Sequence, residues 1–230
     1  MNKLKDSNIT LNHKTHIYSL KDDPDFKFTS STTFIHKFFE PFNKWKVAAK
    51  LLKLPKYEGM TRDELFADWK ASSVRGTKIH AEMEYYIQDG TFPESIPGTF
   101  GQQWVDSAIP AHCELLPEVI VYSKEMGIAG MIDLLVYNPE DEGYTLVDWK
   151  TNKKINKNSF RGKAGIKPAT LGVEDCNFNH YSLQLSLYRY MLEEYYGLKI
   201  KNQYLVHLTD AGAESLVCPY MKETIKEMLE

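Results

Sequence analysis

The stretch Gly127-Ile-Ala-Gly-Met-Ile-Asp-Leu-Leu-Val-Tyr-Asn-Pro-Glu-Asp-Glu-Gly-Tyr-Thr-Leu-Val-Asp-Trp-Lys-Thr-Asn-Lys153 decides how this chain is read. Two runs rich in Val, Ile, Leu and Tyr, Ile128–Tyr137 and Tyr144–Trp149, flank turn residues at Asn138–Gly143, the pattern of consecutive strands. Asp133 sits inside the first apolar run, where an unpaired carboxylate is costly to bury. Asp148 and Lys150 stand at i and i+2 in the second, so their side chains project from one face. If the strands pair across the turn, all three groups converge. Two carboxylates suit a hard divalent cation, and a neighbouring lysine can orient water and stabilise charge developing on a phosphate. The triplet alone is equally compatible with an Asp–Lys ion pair in a plain hairpin, Asp133 being satisfied by backbone donors.

Upstream, the chain reads as mainly helical. A short strand is expected at Ile17–Leu20. Ser30, Ser31, Thr32 and Thr33 offer N-caps for a helix through Phe39, which Pro41 interrupts. A basic helix follows over Asn43–Leu52. Thr61 and Glu64 form a capping-box pattern opening another helix, a stretch Val74–Gln88 continues it to Asp89-Gly90, and Gly101–Ala108 is the last before Pro110. A strand over Pro117–Tyr122 precedes the quoted stretch. After it come a long loop, Asn152–Asn179, then a helix His180–Tyr196 stopped by Gly197, strands at Asn202–Leu208 and Glu214–Cys218, and a helix Met221–Leu229. The expectation is one α/β domain over residues 1–230, with a helical N-terminal layer at about 30–113 and a sheet core with its flanking helix at about 115–230.

Bulk properties bound the partners. The 230 residues are 43% hydrophobic and 26% charged, an ordinary globular balance, with a formal net charge of −3. That charge argues against a protein that merely coats DNA, which is usually more basic. Cys113, Cys176 and Cys218 are too few and too scattered for a disulfide framework, a zinc site or an iron–sulfur cluster. The first residues lack the apolar core of a signal peptide, and no apolar run approaches membrane-spanning length. A soluble, intracellular, cytoplasmic protein of a bacterium or phage-infected cell is expected.

The run GxxD followed by VDWKT, with Gln184-Leu-Ser-Leu-Tyr188 on a later helix, resembles the RecB-like branch of the PD-(D/E)XK nucleases. Gly76-Thr-Lys-Ile-His80 is similar to the GTxxH helix of that branch. Residues 16–42 look like the opening segment of the mitochondrial genome-maintenance exonuclease group and its phage relatives. The ordered motifs span roughly residues 16–208. The resemblance implies a restriction-endonuclease-like core, a mixed central sheet flanked by helices. It implies that Asp133 and Asp148 ligate Mg2+ or Mn2+, as one or two ions, joined by the Trp149 carbonyl and by His80. Glu118 would be a further ligand or hold water, Lys150 would position the nucleophilic water, and Gln184 and Tyr188 would brace the site or touch the DNA backbone. Taken singly, His80 reads equally as a packed helix histidine, Glu84 as a group orienting it, Gly76 as a close-packing position and Tyr188 as core. No four-cysteine set and no GxxxxGK[ST] loop appear, so no iron–sulfur cluster and no helicase module are expected.

From Trp149 to Val173 no acidic residue occurs, while Lys150, Lys153, Lys154, Lys157, Arg161, Lys163 and Lys167 follow one another. A basic loop beside a metal site suits a polyanion, and DNA-binding roles are expected for Lys153, Lys154, Lys157 and Arg161. The stretch His36–Lys56 interleaves lysines with Phe42 and Trp45, which reads equally as a platform for unpaired bases or as a solvated helix face. The expected function is metal-dependent hydrolysis of DNA, by an exonuclease acting on single-stranded or end-bearing DNA. A non-catalytic nucleic-acid-binding module of the same fold, a structure-specific endonuclease and a metal-stabilised assembly protein are the alternatives.

Overall fold

In the computed structural model, which describes Leu4 and residues 6–230, a mixed central sheet is flanked by helices. The N-terminal strands β1 (Ile9–Asn12) and β2 (Ile17–Leu20) form a separate antiparallel hairpin with His13 and His16 at its tip. A two-residue strand β3 (Thr29–Ser30) leads into α1 (Ser31–His36), whose N-cap Ser30 accepts the Thr33 N–H. α1 ends at His36 rather than continuing through Phe39. Its last turn tightens into i→i+3 bonds, from Phe38 N–H to the Ile35 carbonyl and from Phe39 N–H to the His36 carbonyl. Asn43 caps α2 (Lys44–Leu51).

The expected Thr61–Glu64 capping box is present and opens α3 (Arg62–Asp89), closed by Gly90 in the left-handed conformation at φ 79°. The two helical stretches expected in this region are therefore one helix of 28 residues. α4 (Ile96–Ala108) begins five residues before the expected start, because Ser95 caps it and Pro97 stands in its first turn, where a missing N–H costs nothing. Then come β4 (Glu114–Ser123), β5 (Ile128–Asn138) and β6 (Gly143–Lys150), each longer than expected by one to four residues. After the long loop, α5 (Asn177–Tyr196) starts three residues early: the Asn177 side chain donates to the Lys154 carbonyl and accepts the Asn156 N–H, tying the helix start to the loop. β7 (Ile200–Thr209), β8 (Gly212–Val217) and α6 (Lys222–Leu229) complete the chain.

β5 organises the sheet. It pairs antiparallel with β4 over nearly its whole length, in parallel with β3 at Ile128 and Ala129, and antiparallel with β6 from Leu134 to Asn138. β3 and β6 thus share one edge of β5, which is unpaired between them over residues 130–133. β6 continues in parallel to β7 through the α5 crossover, and β8 closes the far edge. One face carries α1, α5 and α6 over a core that includes Ile132, Leu146, Leu183, Leu187 and Leu205. The other carries α3 and α4, with Ile79, Met83 and Val105 packed on Leu134, Val147, Trp149 and Val206. No helix among the described residues is long and apolar enough to cross a membrane.

Gly130 lies in the unpaired part of β5, under α5. A Cβ at this position would collide with the Tyr188 ring and come within 2.5 Å of the Ser31 hydroxyl oxygen. Close packing of α1 and α5 on β5 therefore depends on its hydrogen. Gly130→Ala should cost about 1–3 kcal/mol through overpacking, read as a lower denaturant midpoint; an unchanged midpoint would show that α5 does not seat here.

Candidate active site

At Glu118 and Asp133 the period-two alternation of both β4 and β5 slips by one residue. Ile128 and Ile132 face the α5 core and Leu135 takes over beyond Asp133, while on β4 Leu116 gives way to Val119 and Val121. The two acids fall opposite each other in register, between the pairs Pro117↔Leu134 and Val119↔Ile132. Glu118 adopts the left-handed region at φ 51°. A non-glycine residue there stores about 1–3 kcal/mol of strain, a cost that recurs at functional sites. Asp133 Oδ2 accepts the Trp149 N–H at 2.8 Å, so a side chain replaces the next rung of the β5–β6 ladder.

Around this break the sequence-derived candidates gather. His80 of α3 brings Nδ1 to 3.4 Å from Asp133 Oδ2. Lys150 Nζ is ion-paired with Asp148 Oδ2, an oxygen out of reach of solvent and without a hydrogen bond of good geometry, and lies 4.6 Å from the centre of the Tyr181 ring. Both the converged cluster and the plain-hairpin features, the Asp148–Lys150 pair and the backbone donor on Asp133, are therefore present together. Gly76 lets α3 approach: a Cβ there would stand 2.9 Å from the Thr151 hydroxyl, immediately beyond Lys150.

The electrostatics follow from crowding carboxylates out of water. Burial pushes Glu118 up to about 8, with Asp133 and Glu84 adding repulsion. Burial also pushes Asp148 up to about 6; Lys150 opposes the shift and Asp133 supports it. Burial would raise Asp133 too, but His80, Lys150 and the Trp149 N–H outweigh it and hold this carboxyl below its ordinary value. Burial disfavours the charged form of His80, yet Asp133 overcomes that and holds the imidazole above its ordinary value.

His80, Glu118 and Asp133 border a cleft of about 810 Å3, walled by α3 from Asp68 to Glu84, by Met131, by Thr151–Lys153, and by His13 and His16 from the hairpin tip, while Asp148 and Lys150 lie behind that wall and do not line it. Of the expected DNA-binding residues, Lys153 lines this cleft and is paired with Asp68 at 3.2 Å. Lys154, Lys157 and Arg161 do not line it; Lys157 and Arg161 lie over the Phe178 and Phe160 rings. Gln184 donates to the Tyr188 hydroxyl at 2.9 Å, and Tyr188 is only 2% exposed, which leaves that tyrosine a bracing position and no direct reach to a substrate. Glu84 is bonded to Gln88 rather than to His80. Sequence reading passed over His13, His16 and Trp69, all in the cleft wall, and over His207, whose Nε2 is 2.6 Å from the Asn152 carbonyl and fixes the chain just beyond Lys150.

The donor set is three carboxylates and one imidazole, oxygen-rich and hard, and its chemistry fits Mg2+ or Mn2+. Among the described residues no three His, Cys, Asp or Glu side chains are already drawn to metal-ligand spacing. Lys150 engages Asp148 and His80 engages Asp133, while Glu118 has no cation of its own. A buried carboxyl pushed up to about 8 beside another carboxylate is what a site for positive charge looks like without that charge.

No protein-family model matches the chain. It is 32% identical over 92 residues to an ATP-dependent helicase/nuclease subunit of Carboxydothermus hydrogenoformans. The match takes in 40% of this chain but only 6% of that protein, a partial likeness to a helicase/nuclease component. The crystal structure of SSO0001 aligns with 88% of this chain and 74% of its own at 10% identity and a TM-score of 0.39, too low to bear on the fold.

The raised Glu118 carries a stability consequence. Between its ordinary value of 4.5 and about 8 the folded protein keeps a proton that the unfolded chain has released. Stability of the metal-free protein must therefore fall as pH rises through that window, since the native state binds more protons than the unfolded one. Glu118→Gln should flatten the decline between about pH 6 and 8 and be more stable than wild type at pH 8. Urea midpoints in EDTA at pH 5.5 and 8 decide it; parallel slopes for the two proteins would mean that Glu118 is solvated.

Proposed function

We propose that the chain is a metal-dependent deoxyribonuclease of the PD-(D/E)XK type, in the RecB-like branch, hydrolysing phosphodiester bonds as an exonuclease on single-stranded or end-bearing DNA. The helical layer and the sheet core would act as one nuclease domain. The observation that carries the reading is the gathering of His80, Glu118 and Asp133 in the wall of one cleft, with the Asp148–Lys150 pair close behind them, at a break in the pairing of β4, β5 and β6. The partial likeness to a helicase/nuclease component supports the same class.

Asp133, Asp148, Glu118, His80 and the Trp149 carbonyl would hold Mg2+ or Mn2+. Bound there, such a cation supplies Lewis-acid charge at the scissile phosphate and acidifies water. The chain's own groups do the rest. Lys150 keeps its charge despite burial, because Asp148 and Asp133 hold it above the ordinary lysine value. Its ammonium can therefore position water and stabilise negative charge on a phosphate oxygen in a poorly hydrated site, where such an interaction is strongest. The Tyr181 ring and the Asp148 carboxylate fix that ammonium from two sides. Gln184 and Tyr188 brace the α5 side, and Lys153 adds positive charge at the cleft rim.

The assay is cleavage of a labelled oligonucleotide with Mg2+ and with Mn2+. Wild type should cleave; Lys150→Ala should lose about 10²–10³-fold, the usual cost of removing one aimed stabiliser, and Asp148→Ala at least as much. No cleavage by wild type with either metal would leave a binding module, and full activity in both variants would move the site elsewhere. Comparing linear with covalently closed circular DNA tests the exonuclease reading, which cutting of circles would end.

Metal binding has a readout of its own. Glu118 must ionise to hold a cation, so Mn2+ binding near pH 7 should release a proton, seen as a calorimetric enthalpy that depends on the buffer. Glu118→Gln should release fewer protons than wild type, leaving the part that His80 sheds on binding the cation. A buffer-independent enthalpy in wild type would remove Glu118 from the ligand set.

A further inference from the structure

One face of α3 carries Phe66, Trp69, Ser73, Gly76, His80 and Glu84, each three or four residues after the last, so they form a single stripe along the helix. The stripe changes character along its length. At its C-terminal end it presents His80 and Glu84 to the catalytic cleft; in the middle it is small, at Ser73 and Gly76; at its N-terminal end it is aromatic. Trp69 lines the same cleft as His80. At 1.5 Å per residue these two side chains are spaced about 16 Å apart along the axis.

Beyond Trp69 the aromatic surface continues. Phe66 is 5.4 Å from Trp69 and 4.9 Å from Trp45 of α2, and Phe42 is 6.1 Å from Trp69. Phe42 and Trp45 remain 73% and 52% exposed, and between Leu65 and Ile79 no residue of α3 is buried. Among the described residues, α2 buries only Ala48 and this part of α3 only Leu65, a small seam beneath four large rings. Cations accompany them: Lys44 Nζ is 5.2 Å from the Trp45 and Phe66 ring centres, and the Arg62 guanidinium is 4.6 Å from Trp45. Two of the arm's acids are engaged, Glu64 in the helix cap and Asp68 with Lys153, while Asp63 stands in the first turn of α3. Exposed rings with cations over their faces, continuous with a phosphodiester-cleaving cleft, match a single strand, whose bases stack on rings while its phosphates meet positive charge. A duplex keeps its base faces stacked internally and has no use for such rings.

We propose that α2 and the N-terminal half of α3 form a stacking guide for single-stranded DNA, leading the strand over Phe42, Trp45, Phe66 and Trp69 toward Asp133 and Asp148. The guide rests on the nuclease reading for its direction, but its binding is measurable apart from cleavage.

The test is fluorescence anisotropy in EDTA with a labelled single-stranded oligothymidine and with a hairpin-capped duplex of equal length. Trp69→Ala and Trp45→Ala should each weaken single-strand binding by about 5- to 150-fold, the cost of losing one base–ring stack, and leave duplex binding within about 2-fold. Trp69→Phe should restore most of the affinity and Trp69→Leu should not. Equal recovery by Phe and Leu would reduce the rings to packing and overturn the guide, as would equal losses on single strand and duplex, or none. If wild type proves unable to cleave DNA yet the alanine variants lose single-strand binding, the guide stands and the nuclease reading falls. If cleavage is present but the variants bind single strands like wild type, the reverse holds.

Discussion

Three carboxyl groups crowded together, Asp148 buried and Asp133 and Glu118 half-buried at a cleft, are the constraint around which the rest of the molecule is arranged. An isolated buried carboxylate is expensive, and like charges side by side raise the cost further. Each acid meets the problem differently. Asp133 has the Trp149 N–H and His80, and stays ionised. Asp148 leans on Lys150 but is still pushed up to about 6. Glu118 has neither a backbone donor nor a cation, and keeps its proton to about 8. A chain that needed only a stable hairpin would gain by replacing Glu118, whose backbone is strained as well as its charge.

The architecture follows from placing those groups. The β5–β6 ladder stops at Leu134↔Val147, short of the acids, and one edge of β5 stays open between β3 and β6. That opening admits Tyr188 from one side, over a glycine with no Cβ to obstruct it. On the other side α3 supplies His80, and Gly76 allows that helix to close on Thr151. Interactions outside the site then hold these approaches: Arg75 with Asp210, Lys153 with Asp68, and His207 with the Asn152 carbonyl. Exposed ion pairs such as the first two are individually weak. They act at the edges of the cleft, where α3 meets the β7–β8 turn and the loop after β6, so they set where the wall stands more than how stable the molecule is.

Much of this was legible in the sequence, for a physical reason. Strands that bury both faces must be apolar, so an aspartate inside Ile128–Tyr137 and a D-x-K triplet in the next run stood out, and their convergence followed from pairing across one turn. Capping chemistry is local, which is why Ser30, Asn43, Thr61–Glu64, Gly90 and Gly197 marked helix ends correctly. The helix over α3 was read from its cap and its end, but not from its middle, which has almost no apolar period: between Leu65 and Ile79 no residue is buried. The slip at Glu118 was invisible, since a left-handed glutamate has no sequence mark. Ile17–Leu20 was read as a strand, but the hairpin tip with His13 and His16 was missed because its partner, Ile9–Asn12, is short and polar-flanked and resembles a loop. The charge of the basic loop was legible, but not its arrangement: Lys157, Arg161 and Lys167 stand over the rings of Phe178, Phe160 and Phe38.

The stretch of α3 between Leu65 and Ile79, where no residue is buried, and the unpartnered Glu118 are two forms of the same trade. Surface that is exposed and aromatic, and a carboxyl that must keep its proton because no charge partners it, both make the isolated protein less stable than its size permits. Neither is explained by folding, and each is relieved by a different ligand chemistry: a divalent cation for the acids, unpaired bases with their phosphates for the arm. The two lie on one helix face, with Trp69 and His80 in the same cleft. A ligand that satisfied both would have to carry phosphate at one point and a run of stackable rings at the next. On the proposed reading single-stranded DNA meets that description, whereas a duplex, whose bases already stack on one another, does not.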